Sequence, residues 1–148
     1  MLKKIFVYLL VGISLLSLIF SILTKNQKDR IDTEIQLASE DYYLKIIENA
    51  KIIKQEVENL NNNESNSYYY IESQIINIKD YYEFFRLLHH FSDNMKEDSF
   101  IKRDEAITQL WNLLNMNEIG TDDFIHNISN ELSKEVENLE KLNASIKS

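Results

Sequence analysis

The residues best suited to chemistry in this chain are its three histidines and twenty-four carboxylates; it has no cysteine. His89 and His90 are adjacent. On a helix they point about 100° apart and cannot share one metal ion. His90 with Asp93, and Asp123 with His126, have the i, i+3 spacing that can put two ligands on one face. Di-iron bundles repeat Glu-x-x-His twice and add two inward carboxylates, and no Glu-x-x-His occurs here. The spacing therefore predicts no metal and no other cofactor, with one histidine at the rim of a core and the other solvated. The only glycines are Gly12 and Gly120, so neither a Gly-x-Ser-x-Gly elbow nor a phosphate-cradling loop can form. Three Asn-x-Ser sequons, at Asn63, Asn127 and Asn143, are what an Asn- and Ser-rich chain holds by chance. Tyr68, Tyr69, Tyr70, Tyr81 and Tyr82 would suit a ligand cage, but aromatic runs on helices more often wedge between neighbouring helices with their hydroxyls reaching solvent. The sole tryptophan, Trp111, reads as a core anchor. The expectation is a protein without catalytic activity and with no small-molecule substrate evident.

The elements that would carry these residues are helices. The chain has no proline and is rich in Ile, Leu, Glu, Lys and Asn, a composition without breakers. Four amphipathic segments follow from spacings of three and four. The first covers about 28–60, with Ile31, Ile35, Ala38, Tyr42, Ile46, Ile53, Val57 and Leu60 as its stripe. Polar residues 61–67 end it. The second covers about 68–95. Its stripe is Ile71, Ile75, Ile78, Tyr82, Phe85, Leu88 and Met95, and Tyr81, Phe84 and Phe91 widen it, which predicts burial on more than one side. A turn at 96–99, where Asp98 or Ser99 would cap, leads to a helix over about 101–116 with Ile107, Leu110, Trp111 and Leu114 inward. The last segment, about 122–146, places Ile125, Ile128, Leu132, Val136, Leu139, Leu142 and Ile146 close to a heptad seam. Such segments bury their stripes most simply as an antiparallel bundle of about four helices. The seam residues Leu132, Val136, Leu139, Leu142 and Ile146 either pack within the chain or form an interaction surface for another copy or partner.

Ahead of the bundle, Ile5 to Leu23 is an uncharged run of 19 residues. As a helix it rises about 28 Å, close to a hydrocarbon core of about 30 Å. This predicts a transmembrane anchor over 1–24, a helical bundle domain over 25–148, and the lipid bilayer as one partner. The run exceeds the 7–15 residues usual in a signal peptide, and no small-x-small cleavage site follows it. Ser14, Ser17 and Ser21 share one face, suited to helix packing inside a membrane. Lys3 and Lys4 before the span nearly balance Lys25, Lys28 and Arg30 after it, so the positive-inside rule does not fix the side. The formal charge of −8 argues against a nucleic-acid partner, which needs a basic face.

The order of features resembles a family of small single-pass bacterial membrane proteins of unknown function, some relatives of which are described as phage abortive-infection proteins. The resemblance is carried by the basic exit Thr24-Lys25-Asn26-Gln27-Lys28-Asp29-Arg30, by Ile35 to Tyr43 leading into Ile46-Ile47-Glu48-Asn49-Ala50, by Tyr81-Tyr82-Glu83-Phe84-Phe85-Arg86-Leu87-Leu88, and by the helix that holds Trp111. The family's turn usually carries a glycine where Lys96-Glu97-Asp98-Ser99 stands. The resemblance implies an all-α protein of the cell membrane with its bundle in the cytoplasm, a regulatory or phage-defence context, and no catalytic residues. The leading expectation is a membrane-anchored interaction protein that binds another protein or itself. Two other classes stay open: a structural coiled-coil protein of the envelope, spanin-like or divisome-like, and a pore-forming effector assembled through the serine face.

Overall fold

The computed structural model describes residues 2–60, 67–91, 97–116 and 122–147, with side chains described over 13–60, 68–91, 98–115 and 128–145. Every described residue is α-helical. The elements are α1 (Leu2–Leu60), α2 (Ser67–Phe91), α3 (Glu97–Met116) and α4 (Asp122–Lys147). The chain divides into two compact units, Met1–Glu34 and Ile35–Ser148.

In the first unit Ile13, Leu15, Leu16, Leu18, Ile19, Phe20, Ile22 and Leu23 are all exposed. Thr24 turns its hydroxyl back onto the Phe20 carbonyl at 2.8 Å, which satisfies a polar group without leaving the helix. Among the described residues no helix is long and apolar enough to cross a membrane. The side chains of residues 5–12, the first part of the apolar run, lie outside the described set.

The second unit is a helical bundle. Its core draws on all four helices, with Tyr43, Phe85, Ile107 and Leu132 fully buried. Tyr42 stacks on Phe84 at 5.4 Å, whereas Asn49 meets Asn77, so α2 descends along the rising second half of α1. Phe85 and His89 stack on Phe100 and Tyr82 bonds Asp104 and Thr108, so α3 runs antiparallel to α2. α4 packs mainly on α3 and reaches α1 through a bond from Tyr43 to Leu139 and an ion pair between Lys51 and Glu140.

Three sequence expectations need correction. On α1 the buried stripe is Ser39, Tyr43, Ile46, Ala50, Ile53, Val57 and Leu60, an alternation of four and three. Its first two positions lie one residue beyond the expected Ala38 and Tyr42. Those two are half-buried and Ile31 is exposed. The displaced register follows from polar atoms, because the Tyr43 hydroxyl has an acceptor inside the bundle. On α3 the helix begins at Glu97, so Asp98 and Ser99 lie within its first turn and do not cap it. Two acidic residues there face the positive end of the helix dipole. On α2, Phe84 and Phe91 are exposed and do not widen the core. Met95 lies outside the described residues.

Candidate functional site

The seam of α4 is buried in the protomer's own core: Leu132 and Leu139 are fully covered, Val136 nearly so, and Leu142 packs partly against them. The side chain of Ile146 lies outside the described residues. What α4 leaves at the surface is charge, including Glu137 paired to Lys141 one turn on at 2.6 Å. That pairing holds the Glu137 carboxyl below its ordinary pKa. Ser14, Ser17 and Ser21 lie on one exposed face of α1, lining a shallow groove with Ile13, Leu18 and Ile22.

The histidines separate. His89 is half-buried, its ring lying 3.7 Å from that of Phe100, while His90 is exposed. Asp93 and the side chains of Asp123 and His126 lie outside the described residues. Among the described residues no three His, Cys, Asp or Glu side chains gather to hold a metal ion. The tyrosines separate too. Tyr68 packs on the core, whereas Tyr69 and Tyr70 are exposed. Tyr82 donates to Asp104 Oδ1 at 2.9 Å, leaving Thr108 as the donor in their 2.8 Å contact. Partial burial raises the Tyr82 pKa. Trp111 is half-buried against the core, as its apolar face implied.

The chemically singular group inside the bundle is Arg103, only 5% exposed. Sequence reasoning missed it. Its signal is positional, since 103, 107, 110 and 114 continue one stripe of α3, so an arginine there must enter the core. Its guanidinium carbon sits 4.8 Å from the Tyr43 ring centre, a cation–π arrangement. Among the described residues its Nε and Nη2 have no hydrogen-bond partner, and neither does the buried Ser39 hydroxyl. Burial lowers the Arg103 pKa, against the opposing influence of Tyr43 and Glu40. Arginine nevertheless stays charged in proteins. The Tyr43 hydroxyl donates to the Leu139 carbonyl at 3.1 Å. A permanent cation on a hydrogen-bonded phenol supplies no base and no activated nucleophile, so this constellation pins α1, α3 and α4 at one level of the bundle.

Burial pushes the Tyr43 hydroxyl above the ordinary phenol range. A raised folded-state pKa means that its contribution to stability is complete below about pH 10, the unfolded value. That contribution is lost as pH climbs from there toward the folded value. Tyr43→Phe should therefore flatten the alkaline fall in thermal stability above about pH 10, leaving a residual slope from Tyr82. At neutral pH it should cost about 0.5–1.5 kcal/mol for the lost hydrogen bond. Circular-dichroism melts of the full chain between pH 8 and 11 check this; an unchanged alkaline slope would contradict it.

The other singular feature is the outer face of α2. Tyr69, Ile76, Phe84, Leu87 and Phe91 are 83, 53, 50, 50 and 66% exposed. At 3.6 residues per turn they fall within about 80° of arc and extend about 33 Å along the helix. Phe84 is held in place by its stacking on Tyr42, and Lys45 lies over the neighbouring Tyr42 and Tyr81 rings. The ring of Phe84 is thus fixed from behind and open in front. Two stripes run along α2, one buried through Ile71, Ile75, Ile78 and Phe85 and one exposed, which is why its periodicity suggested a helix covered on several sides.

No family model matches the chain, and no match was found among curated proteins or among solved structures.

Proposed function

We propose that this is a non-enzymatic, single-pass membrane protein whose helical bundle binds protein through the outer face of α2. The observation that carries the reading is the exposed stripe of Tyr69, Ile76, Phe84, Leu87 and Phe91. Aromatic side chains bury about 150–250 Å² each, so at the exposures observed Tyr69, Phe84 and Phe91 together offer about 400 Å². Exposed surface of that size is in the range of the ~300–600 Å² of the largest patch on a typical monomer.

The anchor rests on the 19-residue uncharged run Ile5–Leu23 and on the exposure of every large apolar side chain described within it. Eight such residues in water would be costly, at about 25 cal/mol per Å², whereas lipid accommodates them. A cytoplasmic bundle and a regulatory or phage-defence role are what the family resemblance adds. The buried aromatics Tyr43 and Phe85, with Phe100 packed against them, support a compact bundle over an extended envelope coiled coil.

A photo-crosslinking amino acid at position 84 of the full chain, expressed in bacteria, tests the reading. Position 105 on α3, also exposed, is the control. The reading expects protein adducts from position 84 at least tenfold above position 105, recovered in the membrane fraction. Equal labelling from both positions would overturn it. A C-terminal reporter active only outside the cytoplasm would move the protein to the envelope class.

A further inference from the structure

We infer that the outer face of α2 receives a cationic side chain, arginine or lysine, from a basic, apolar-faced segment of another protein, its head on Asp80 and its stem along Phe84. This rests on the reading of that face as a protein-binding surface and names the chemistry of its partner.

Asp80 carries the argument. It is exposed and lies inside the apolar arc, one turn after Ile76 and one turn before Phe84. Side chains four apart on a helix are neighbours, with about 5–6 Å between their Cβ atoms. An anion therefore sits between two large apolar groups, one of them an aromatic ring. Among the described residues no cation pairs with it. Lys79 is next to it in sequence, but adjacent residues on a helix point about 100° apart.

The same constellation occurs elsewhere in the bundle with a cation already in it. Lys45 Nζ lies 2.7 Å from Asp41 and over the Tyr42 and Tyr81 rings at 5.2 and 5.7 Å. Arg86 Nε lies 3.8 Å from Asp104, with its guanidinium carbon 5.7 Å from the Tyr82 ring centre. A carboxylate beside a ring suits a long cationic side chain. The head is drawn to the anion and to the negative face of the ring, while the apolar stem covers carbon. Asp80 with Phe84 repeats this pair facing outward, since Phe84 is backed by Tyr42 and half exposed. The cation that completes it comes from another molecule.

The surrounding charge agrees. Glu72 and Glu83 are exposed along one edge of the arc, with Lys79 and His90 beside them, so the face is acidic at neutral pH. Charges of this kind select and orient a partner more than they add affinity. They favour a basic segment. They disfavour anionic lipid, on which an interfacial helix presents Lys and Arg. A second copy docked in reverse by the same face would set Asp80 against Asp80.

A photo-crosslinking amino acid at position 76 of the full chain, in bacterial membranes, leaves Asp80 and Phe84 intact and reads the contact. The inference expects protein adducts whose labelled peptide belongs to another protein and carries an arginine or lysine beside the crosslinked residue. Asp80→Glu should keep the adduct yield within about twofold. Asp80→Asn and Phe84→Leu should each lower it several-fold. Asp80→Lys should lower it at least tenfold, because like charges then face each other. All four positions of change are exposed, so thermal melts should not move. A yield undiminished by Asp80→Lys, or a labelled peptide from this same chain or without a basic residue, would overturn the inference and leave the binding reading standing. If position 76 labels only lipid or nothing, both fail.

Discussion

Leu132→Asp should unfold the bundle. Leu132 is fully buried between α4 and the rest of the core. Truncating such a leucine to alanine typically costs about 2–5 kcal/mol through lost transfer energy and the cavity left behind. Aspartate adds a carboxylate to this apolar core, and an isolated buried charge costs far more than a cavity. A domain of this size holds roughly 5–15 kcal/mol in total, so the sum consumes most or all of it. The expected result is loss of the cooperative thermal transition and rapid proteolysis of the full chain. Leu132→Ala should keep the transition at a lower midpoint. A native-like melt for Leu132→Asp would mean that the α4 seam faces solvent.

On the anchor proposed above, Ser14→Arg combined with Ser17→Arg should release the protein from the membrane. Both serines lie near the middle of the apolar run, where an arginine costs about 2.5–3.5 kcal/mol of insertion free energy. Two together cost about 5–7 kcal/mol if additive, more than three decades in partitioning. Serine itself is tolerated there, since its hydroxyl can return to a carbonyl of its own helix. Alkaline carbonate extraction reads the outcome: the unaltered chain should stay in the pellet and the doubly substituted chain should move to the supernatant or be degraded. Extraction of both alike would remove the anchor from the account. Because the bundle lies in a separate compact unit, its own stability should not change.

The parts of this structure governed by long apolar periodicity were legible in the sequence. All four amphipathic segments are helices, and Ile128, Leu132, Val136 and Leu139 lie in the core that their spacing implied. What the periodicity could not show depended on partners in three dimensions. Ser39 is polar, and Tyr42 and Tyr43 are the same residue type, so the α1 stripe looked as if it ran through Ala38 and Tyr42. Only the carbonyl of Leu139, ninety-six residues away, makes Tyr43 the buried one. Arg103 was not among the residues expected on the inner face of α3, since burying a guanidinium is costly, yet it lies in the α3 stripe with the Tyr43 ring beneath it and is buried. On α2 the stripe through Ile71, Ile75, Ile78 and Phe85 was legible and is buried, but Phe84 and Phe91, expected to widen it, belong to a second apolar face. A core takes one, and the other is the candidate site. The seam of α4 was legible as a seam, but the helix it packs on was not, because intrachain and interchain packing present the same pattern.

The account turns on whether the outer face of α2 is a binding surface. Leu87 lies at the middle of its arc and is half exposed, so Leu87→Glu changes the face without entering the core. The deciding measurement is the yield of protein adducts from a photo-crosslinking residue at position 84, in membranes, with and without Leu87→Glu. The account predicts that yield to fall at least tenfold while the thermal melt is unchanged. An undiminished yield, at the same stability, would contradict it.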